Sequence, residues 1–264
     1  MAYRPNSDFA LDVARGLVSG VAAVYKFGNA PTGVQTSATD IWSRANATPT
    51  QQIWVAPTQA RIHAIASDSD VDGKTGAPTA AGARTLRVWG LPDWDTAETS
   101  QDITLDGTTS VNTTALVIIH RMKVLTAGTT SINVGTITAT AATDTSITAV
   151  ILPTEGQTQM AIYGVPSTQT FYMTAFGGSM NDTTAQSRVD LRLLVNESPD
   201  SSPLNTRFIV KTDVQIQNSG ASFISRSFNP YVSYAGPCII KLQATASAAD
   251  TDVSASFQGY LVTN

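Results

Sequence analysis

Hydrophobic side chains recur first at helical spacing and then, from about Val34 onward, at every second residue. In the opening stretch Leu11, Ala14, Leu17, Val18 and Val21 lie three or four positions apart, behind the helix-capping types Asn6, Ser7 and Asp8. Gly16 and Gly20 oppose a helix there, each by up to ~1 kcal/mol relative to alanine. The segment therefore reads as a short amphipathic helix or as an extended arm. Beyond it, Ile53-Trp-Val and Ala60-Arg-Ile-His-Ala-Ile-Ala flank an Ala56-Pro-Thr turn, and Arg84-Thr-Leu-Arg-Val-Trp alternates cleanly. Asp102-Ile-Thr-Leu runs into Asp106-Gly107, a hairpin signal, followed by Leu116-Val-Ile-Ile-His-Arg-Met-Lys-Val and Gly135-Thr-Ile-Thr-Ala-Thr.

The second half uses the same grammar. Ile162-Tyr-Gly-Val-Pro-Ser-Thr matches Ile53-Trp-Val-Ala-Pro-Thr, Arg188-Val-Asp-Leu-Arg-Leu matches Arg84-Thr-Leu-Arg-Val, and Pro237-Cys-Ile-Ile-Lys-Leu matches Ala115-Leu-Val-Ile-Ile-His-Arg-Met. Short strands separated by frequent turns predict an all-β fold. One or two antiparallel, jelly-roll-like β-sandwich domains are expected behind an N-terminal arm or short helix. The corresponding division is an arm over 1–34 and sandwiches over 35–150 and 151–264, a duplication joined near Ile151–Gln157 being one explanation of the parallels.

Composition sharpens this picture. Charged residues make up 14% of the 264 positions, against roughly 25% in a typical soluble domain. Threonine takes their place: there are 37, of which 14 lie between Thr104 and Thr148. Acidic residues divide into 17 Asp and 3 Glu, a ratio that favours turns and caps over helices. A net charge of −4 offers no basic excess for nucleic acid. No apolar run is long enough to predict a membrane span, and the start, interrupted by Asp12 and Arg15, does not read as a signal peptide. Cys238, alone, excludes an internal disulfide framework and suits a reducing compartment.

Motifs for catalysis are missing from this pattern. His63 and His120 sit in strands without further His or Cys nearby, so zinc is not expected. Asp68-Ser-Asp70-Val-Asp72-Gly73 opens like a calcium loop, which makes Asp68, Asp70 and Asp72 the candidate metal ligands. The acid that should complete an EF-hand is replaced by Thr79, and a solvated loop between strands is the competing reading. Gly177-Gly-Ser-Met-Asn does not complete a nucleophile elbow. Asp93, Asp95 and Asp190 are available as carboxylates, and Trp42, Trp54, Trp89 and Trp94 as sugar-stacking or core aromatics, without spacing that pairs them. The chain is therefore expected not to be an enzyme and to need no cofactor. Between Leu125 and Thr154 the sole charge is Asp144, a pattern suited to a subunit interface. Candidate interface residues are Phe9, Leu11, Leu17 and Val21 near the start and Ile132, Val134 and Ile137 in the charge-poor stretch.

Several segments taken together resemble a family of virion structural proteins from tailed bacteriophages of marine and soil bacteria. They are Ala10-Leu-Asp-Val-Ala-Arg-Gly-Leu-Val-Ser-Gly-Val, Gly82-Ala-Arg-Thr-Leu-Arg-Val-Trp-Gly-Leu, Thr104-Leu-Asp-Gly-Thr-Thr-Ser-Val, Asn133-Val-Gly-Thr-Ile-Thr-Ala, Gly156-Gln-Thr-Gln-Met-Ala-Ile-Tyr-Gly-Val-Pro and Asp252-Val-Ser-Ala-Ser-Phe. The resemblance spans nearly the whole chain and rests on turn and strand sequences, so it carries over no functional residue. It implies a virion protein assembled in the host bacterial cytoplasm, a symmetric homo-oligomer such as a trimer, bound to the major capsid protein or other virion proteins. A capsid decoration or cement role is expected, with contacts on Met1–Pro31 and low-charge strand edges. The alternative is a head- or tail-fibre module that binds a host glycan. Neither nucleic acid nor membrane is an expected partner.

Overall fold

The computed structural model describes residues 8–46, 51–73, 81–181, 187–217 and 223–264. Among these are sixteen strands, β1 to β16 in chain order, one α-helix, α1 (Phe9–Ala14), and two short 3-10 turns, Ser43–Asn46 and Leu204–Thr206. The fold is all-β and sandwich-like, with every strand pairing antiparallel.

Eight long-range partners build the larger unit. One sheet orders β1 (Val21–Val34), β16 (Thr251–Thr263), β11 (Gln169–Asn181) and β14 (Phe223–Ala235). The facing sheet orders β10 (Ile162–Val165), β15 (Cys238–Ala246), β12 (Arg188–Asn196) and β13 (Ile209–Gln217), with the short β2 (Thr39–Asp40) added beside β15. Numbered along the chain from 1 to 8, these strands lie in the orders 1-8-3-6 and 2-7-4-5. That is the double Greek-key jelly roll. Phe171, Phe176 and Phe257 fill the space between its sheets, the Phe171 ring meeting Phe257 edge-on at 6.0 Å and Tyr163 at 6.4 Å.

The remaining strands form a second unit inserted between the first two jelly-roll strands. β6 (Val111–Asn112), β3 (His63–Ser67), β8 (Ile137–Ala141) and β9 (Ile147–Ile151) make one sheet, and β5 (Thr99–Thr104), β4 (Ala83–Leu91) and β7 (Ile118–Ala127) the other. Its two stems run side by side. Ala161 N–H donates to Ile41 O, Leu242 N–H to Ala161 O, and Ile41 N–H to Leu242 O, each at 3.0 Å. β1 crosses this junction at Gly28, where a Cβ would stand 2.4 Å from Ile41 O and 2.6 Å from Ala161 N. Buried side chains of both units form one continuous core, from Leu86 and Ile118 in the insert to Leu191 and Ile240 in the jelly roll.

Nesting replaces the division expected at residues 34 and 150. Residues 21–34 are not an arm: β1 pairs with β16 from Val21↔Val262 to Val34↔Thr251 and forms the edge of a sheet with the far end of the chain. α1 is capped by Asp8, whose carboxylate accepts from Leu11 N–H at 3.3 Å. It stops before Gly16, which has φ +70°. Because the helix is so short, Val13 is its buried residue, while Leu11 and Ala14 of the expected apolar stripe are exposed. Asn6 and Ser7, the other expected caps, lie outside the described residues.

Two further expectations change. Ile53-Trp-Val forms no strand, since Trp54 is instead held by its own hydrogen bonds, N–H to Asp40 Oδ2 at 2.8 Å and Nε1–H to Thr148 O at 2.9 Å. Asp106-Gly107 does turn, with Gly107 at φ +63° and an antiparallel Asp106↔Thr109 bridge closing the loop, but the strands on either side, β5 and β6, belong to different sheets of the insert. The insert's strand order differs from that of the jelly roll, so the sequence parallels do not mark a repeated topology.

Candidate functional site

A cavity of about 510 Å³ opens where the insert meets the jelly roll, within the usual size range of ligand pockets. Jelly-roll strand β1 contributes Lys26 and its neighbours Tyr25 and Phe27, and β10 contributes Tyr163. The insert supplies Trp89 from β4, Glu98 from the lead into β5, and His120 and Arg121 from β7, while Gln157 and Thr158 come from the returning stem.

His120 is buried, and both of its ring nitrogens are engaged. Nε2 accepts from Gly164 N–H at 3.1 Å, so the ring proton lies on Nδ1, which donates to Glu98 Oε2. Burial holds the imidazole below its ordinary pKa despite the carboxylate beside it, so the ring is neutral. For Glu98 burial works upward, but the His120 hydrogen bond and the charges of Lys26 and Arg121 outweigh it and leave the carboxyl below its usual range. Lys26 Nζ donates to His120 O at 2.5 Å, and burial lowers the ammonium to about 8, opposed by Glu98 and assisted by Arg121. Tyr163 stacks at a tilt on His120, with ring centres 4.2 Å apart, and burial followed by the Glu98 charge raises its hydroxyl pKa.

Arg121 and Trp89 are cross-strand partners in the β4–β7 ladder. The guanidinium lies 5.3 Å from the Trp89 ring centre and donates to Gln157 Oε1 at 2.5 Å. Arg87, two residues before Trp89 on the same face, lies 5.9 Å from that ring and is paired with Asp102 at 2.6 and 2.9 Å. A second concavity of about 360 Å³ adjoins the first and shares Arg121 and Gln157 with it, adding Lys123 and Glu155. With His120 engaged at both nitrogens, the residues present suit recognition of a polar ligand better than proton abstraction.

The candidate calcium ligands do not converge. Asp72 is fully buried, and its carboxylate accepts from Ser67 Oγ (2.8 Å), Ala83 N–H (2.8 Å), Val134 N–H (2.9 Å) and Gly135 N–H (2.7 Å). Asp70 accepts from the Thr108 hydroxyl at 2.7 Å, and Asp68 from Thr136 N–H at 2.8 Å. These carboxylates tie loops to backbone, and no group of three or more acidic, His or Cys side chains able to hold a metal occurs among the described residues. Thr79 lies outside those residues. Asp93 accepts from Asp95 N–H and Thr96 N–H, Asp95 from Ser167, and Asp190 from Gln215, so each serves its own locality.

The interface candidates separate into two kinds. Leu11 and Leu17 are more than half exposed, while Phe9 packs edge-on against Tyr260 at 5.2 Å and Val21 is half-buried at the start of β1. In the charge-poor stretch Val134 is exposed and Ile132 is half-buried over Gly156. Ile137 is wholly buried, as are Ala139, Ala141, Ala149 and Ile151, which corrects its assignment to an interface. That stretch lacks charge because β8 and β9 supply core.

A charge-poor surface does exist, on other strands. The outer face of β1-β16-β11-β14 carries Tyr25, Phe27, Tyr260, Tyr172 and Tyr231. Tyr25 stacks on Phe27 at 6.1 Å, Tyr172 stands opposite Tyr260, and Tyr231 approaches Tyr260 at 6.1 Å. Sequence reasoning missed this face because its tyrosines lie up to 235 residues apart from Tyr25 to Tyr260 and meet only through β1–β16 pairing. Lys26, Glu98, Arg121 and Gln157 were missed as well. The available signal was rarity, with Glu98 one of three glutamates and Lys26 the one charged residue of β1. Of the tryptophans, Trp42 and Trp54 are core and Trp89 lines the cleft. No protein-family model matches the chain, and no curated protein matches it in sequence.

Proposed function

We propose that this chain is a virion structural protein of the tailed-bacteriophage type, a capsid decoration or cement protein that binds the outer shell and stabilises it through subunit contacts. The observation that carries the reading is the outer face of β1-β16-β11-β14, where the exposed Tyr25, Tyr172 and Tyr231 of three strands share a face with the half-buried Tyr260 of the fourth, which Phe9 of α1 meets edge-on. Interface cores are depleted in charge and enriched in aromatic residues, tyrosine among them. The jelly-roll architecture, shared by viral capsid and lectin domains, agrees with this role without establishing it. Repetition over symmetric copies would turn moderate contacts into strong avidity.

The test is co-sedimentation with capsids lacking the chain, together with a virion reconstruction that locates it. Wild-type protein is expected to co-sediment, and the pair Leu11→Asp with Tyr25→Asp to lose at least tenfold in affinity while keeping its melting profile. Density on the tail alone overturns the reading. Removing Met1–Pro31 is not a usable variant, because it strips ten residues or more from β1.

One observation favours the second reading, a head- or tail-fibre module that binds host glycan. It is the cleft around Trp89, where an aromatic ring lies beside charged and amide groups.

A further inference from the structure

The cleft gathers cations in a chain whose net charge is −4. Lys26 and Arg121 line the main cavity against one carboxylate, Glu98, which is already bound to His120. The adjoining concavity adds Lys123 against Glu155, whose carboxylate accepts from Gln159. The positive excess is therefore unmatched where the groove opens. Of the three ammonium protons of Lys26, one is directed to a protein acceptor, His120 O, among the described residues. Arg121 has one hydrogen-bond acceptor there, Gln157, and its remaining N–H groups form a fork suited to a carboxylate.

The two concavities, about 510 and 360 Å³, meet at the Arg121–Gln157 hydrogen bond, so a ligand spanning them would pass over it. A ligand longer than one compact unit is implied. Trp89 offers the aromatic surface, and Gln157, Thr158 and Tyr163 offer the amide and hydroxyl groups that pair with ring hydroxyls. Single-stranded nucleic acid, the other anionic polymer, is bound by successive aromatic platforms along a basic groove, whereas here Tyr163 is buried on His120 and Tyr25 stacks on Phe27 on the outer face of β1, which leaves the single indole of Trp89.

We propose that the cleft between the insert's β5-β4-β7 sheet and β1 binds an acidic oligosaccharide, with Lys26 and Arg121 holding its carboxylates and Trp89 supporting a sugar ring. This rests on the glycan-binding reading of the cleft and is independent of the capsid role.

Calorimetric titration of the purified full chain tests it, using tetragalacturonate and tetramannuronate, the carboxyl-reduced neutral form of each, monomeric galacturonate, and a tetrathymidylate. At least one acidic tetrasaccharide is expected to bind ten times or more tighter than its neutral form and than the monomer. Arg121→Gln and Trp89→Ala should each weaken it at least tenfold, while Arg226→Gln, on the distant β14, should leave it unchanged. Arg121→Gln is half-exposed and keeps the test valid should Trp89→Ala fail to fold. Equal, Arg121-sensitive binding of the neutral form would sink the acidic assignment and keep the glycan reading. Binding of neither form would remove both. Preference for the monomer would point to a free sugar acid, and preference for the oligonucleotide to nucleic acid; either overturns the proposal.

Discussion

The jelly roll and its insert are all-β units of one core, yet they are held together by different means. Jelly-roll strands other than the short β10 are long: β11 and β16 have 13 residues each and pair at twelve positions, so the backbone ladder and a phenylalanine core define the unit. Insert strands run from 2 to 10 residues, and side chains bonded to backbone complete what short ladders cannot. Asp72 accepts four donors from three segments. Asn133 donates to Gly135 O and Leu152 O and accepts from Gly156 N–H, while Asp144 accepts from Thr58 N–H and pairs with Arg61 at 2.9 Å. Short polar side chains reach their own neighbourhood's backbone, which is why Asp and Thr, rather than Glu and Lys, dominate here. The Asp, Asn and Thr side chains of the insert therefore serve its folding before they shape its surface.

The largest test of this contrast is Asp72→Ala. Removing the carboxylate strands the buried N–H groups of Ala83 and Gly135 and the Ser67 hydroxyl, each costing about 1–2 kcal/mol, and the part-buried Val134 N–H, for a total of roughly 3–7 kcal/mol. Urea unfolding should show the loss, and hydrogen exchange should place the earliest opening in β3, β4 and β8 rather than in β11 and β16. Uniform opening of both units would abolish the distinction.

A comparable polar tie of the jelly roll lies at its junction with the stem. Lys241 Nζ lies 2.6 Å from Asp40 Oδ2 with both side chains buried, and Gln243 and Trp54 N–H complete the carboxylate's partners. Asp40→Ala leaves the ammonium without compensation and should cost about 3–5 kcal/mol. Asp40→Asn combined with Lys241→Met removes both charges and is expected to recover at least half of that loss. If the double variant is as unstable as Asp40→Ala, the tie does more than neutralise a buried charge, and the jelly roll depends on polar pins as the insert does.

These tests also measure what the sequence made legible. Period-two alternation in Arg84-Thr-Leu-Arg-Val-Trp identified a real strand, because alternation is local and both faces of the sheet can be read from it, whereas Cys238-Ile-Ile-Lys-Leu is an apolar run buried on both faces. The jelly roll could not be read this way. Its first strand closes against its last, Val24↔Gly259, across almost the whole chain, and nothing in either segment names the other. Asp68, Asp70 and Asp72 stood out by spacing alone, but calcium ligands and loop pins share that spacing. The donors that decide between them, Ala83 and Gly135 N–H, come from other strands. The cleft was hidden for the same reason, since Lys26 and His120 are 94 positions apart and meet only after the insert has docked.

His63 provides a smaller test of the insert. It is fully buried on β3, and burial, opposed by the Arg61 backbone and the Asp144 charge, lowers it to about 4. The folded pKa thus lies below the ordinary value of 6.5, so between those limits the unfolded chain takes up a proton that the folded chain refuses. Stability should fall as pH drops from 6.5 towards 4, by about 3 kcal/mol at full effect. His63→Leu is expected to flatten this part of the pH profile in urea melts from pH 7 to 4, while Asp72→Ala leaves it in place. An unchanged slope in His63→Leu would assign the acid sensitivity to the other buried imidazole, His120, or to carboxylates instead.

The smallest effect is expected at Leu17, between α1 and β1. It is 56% exposed, so Leu17→Ser should change folding stability by no more than about 0.5 kcal/mol. Its value lies in separating the two properties that apolar residues serve in this molecule. Ile137 came from a sequence stretch judged equally suited to an interface, but it is wholly buried in β8. Ile137→Ser should therefore lower the melting temperature sharply, by the cavity and the unpaired hydroxyl it leaves, whatever partner is present. Leu17→Ser should leave the isolated chain intact and act only when a partner covers that surface. Equal melting of wild-type and Leu17→Ser protein, combined with weaker capsid association, assigns the exposed apolar segment to assembly. A loss of stability in the isolated chain would assign it to folding, and the distinction between the two groups of apolar residues would fall.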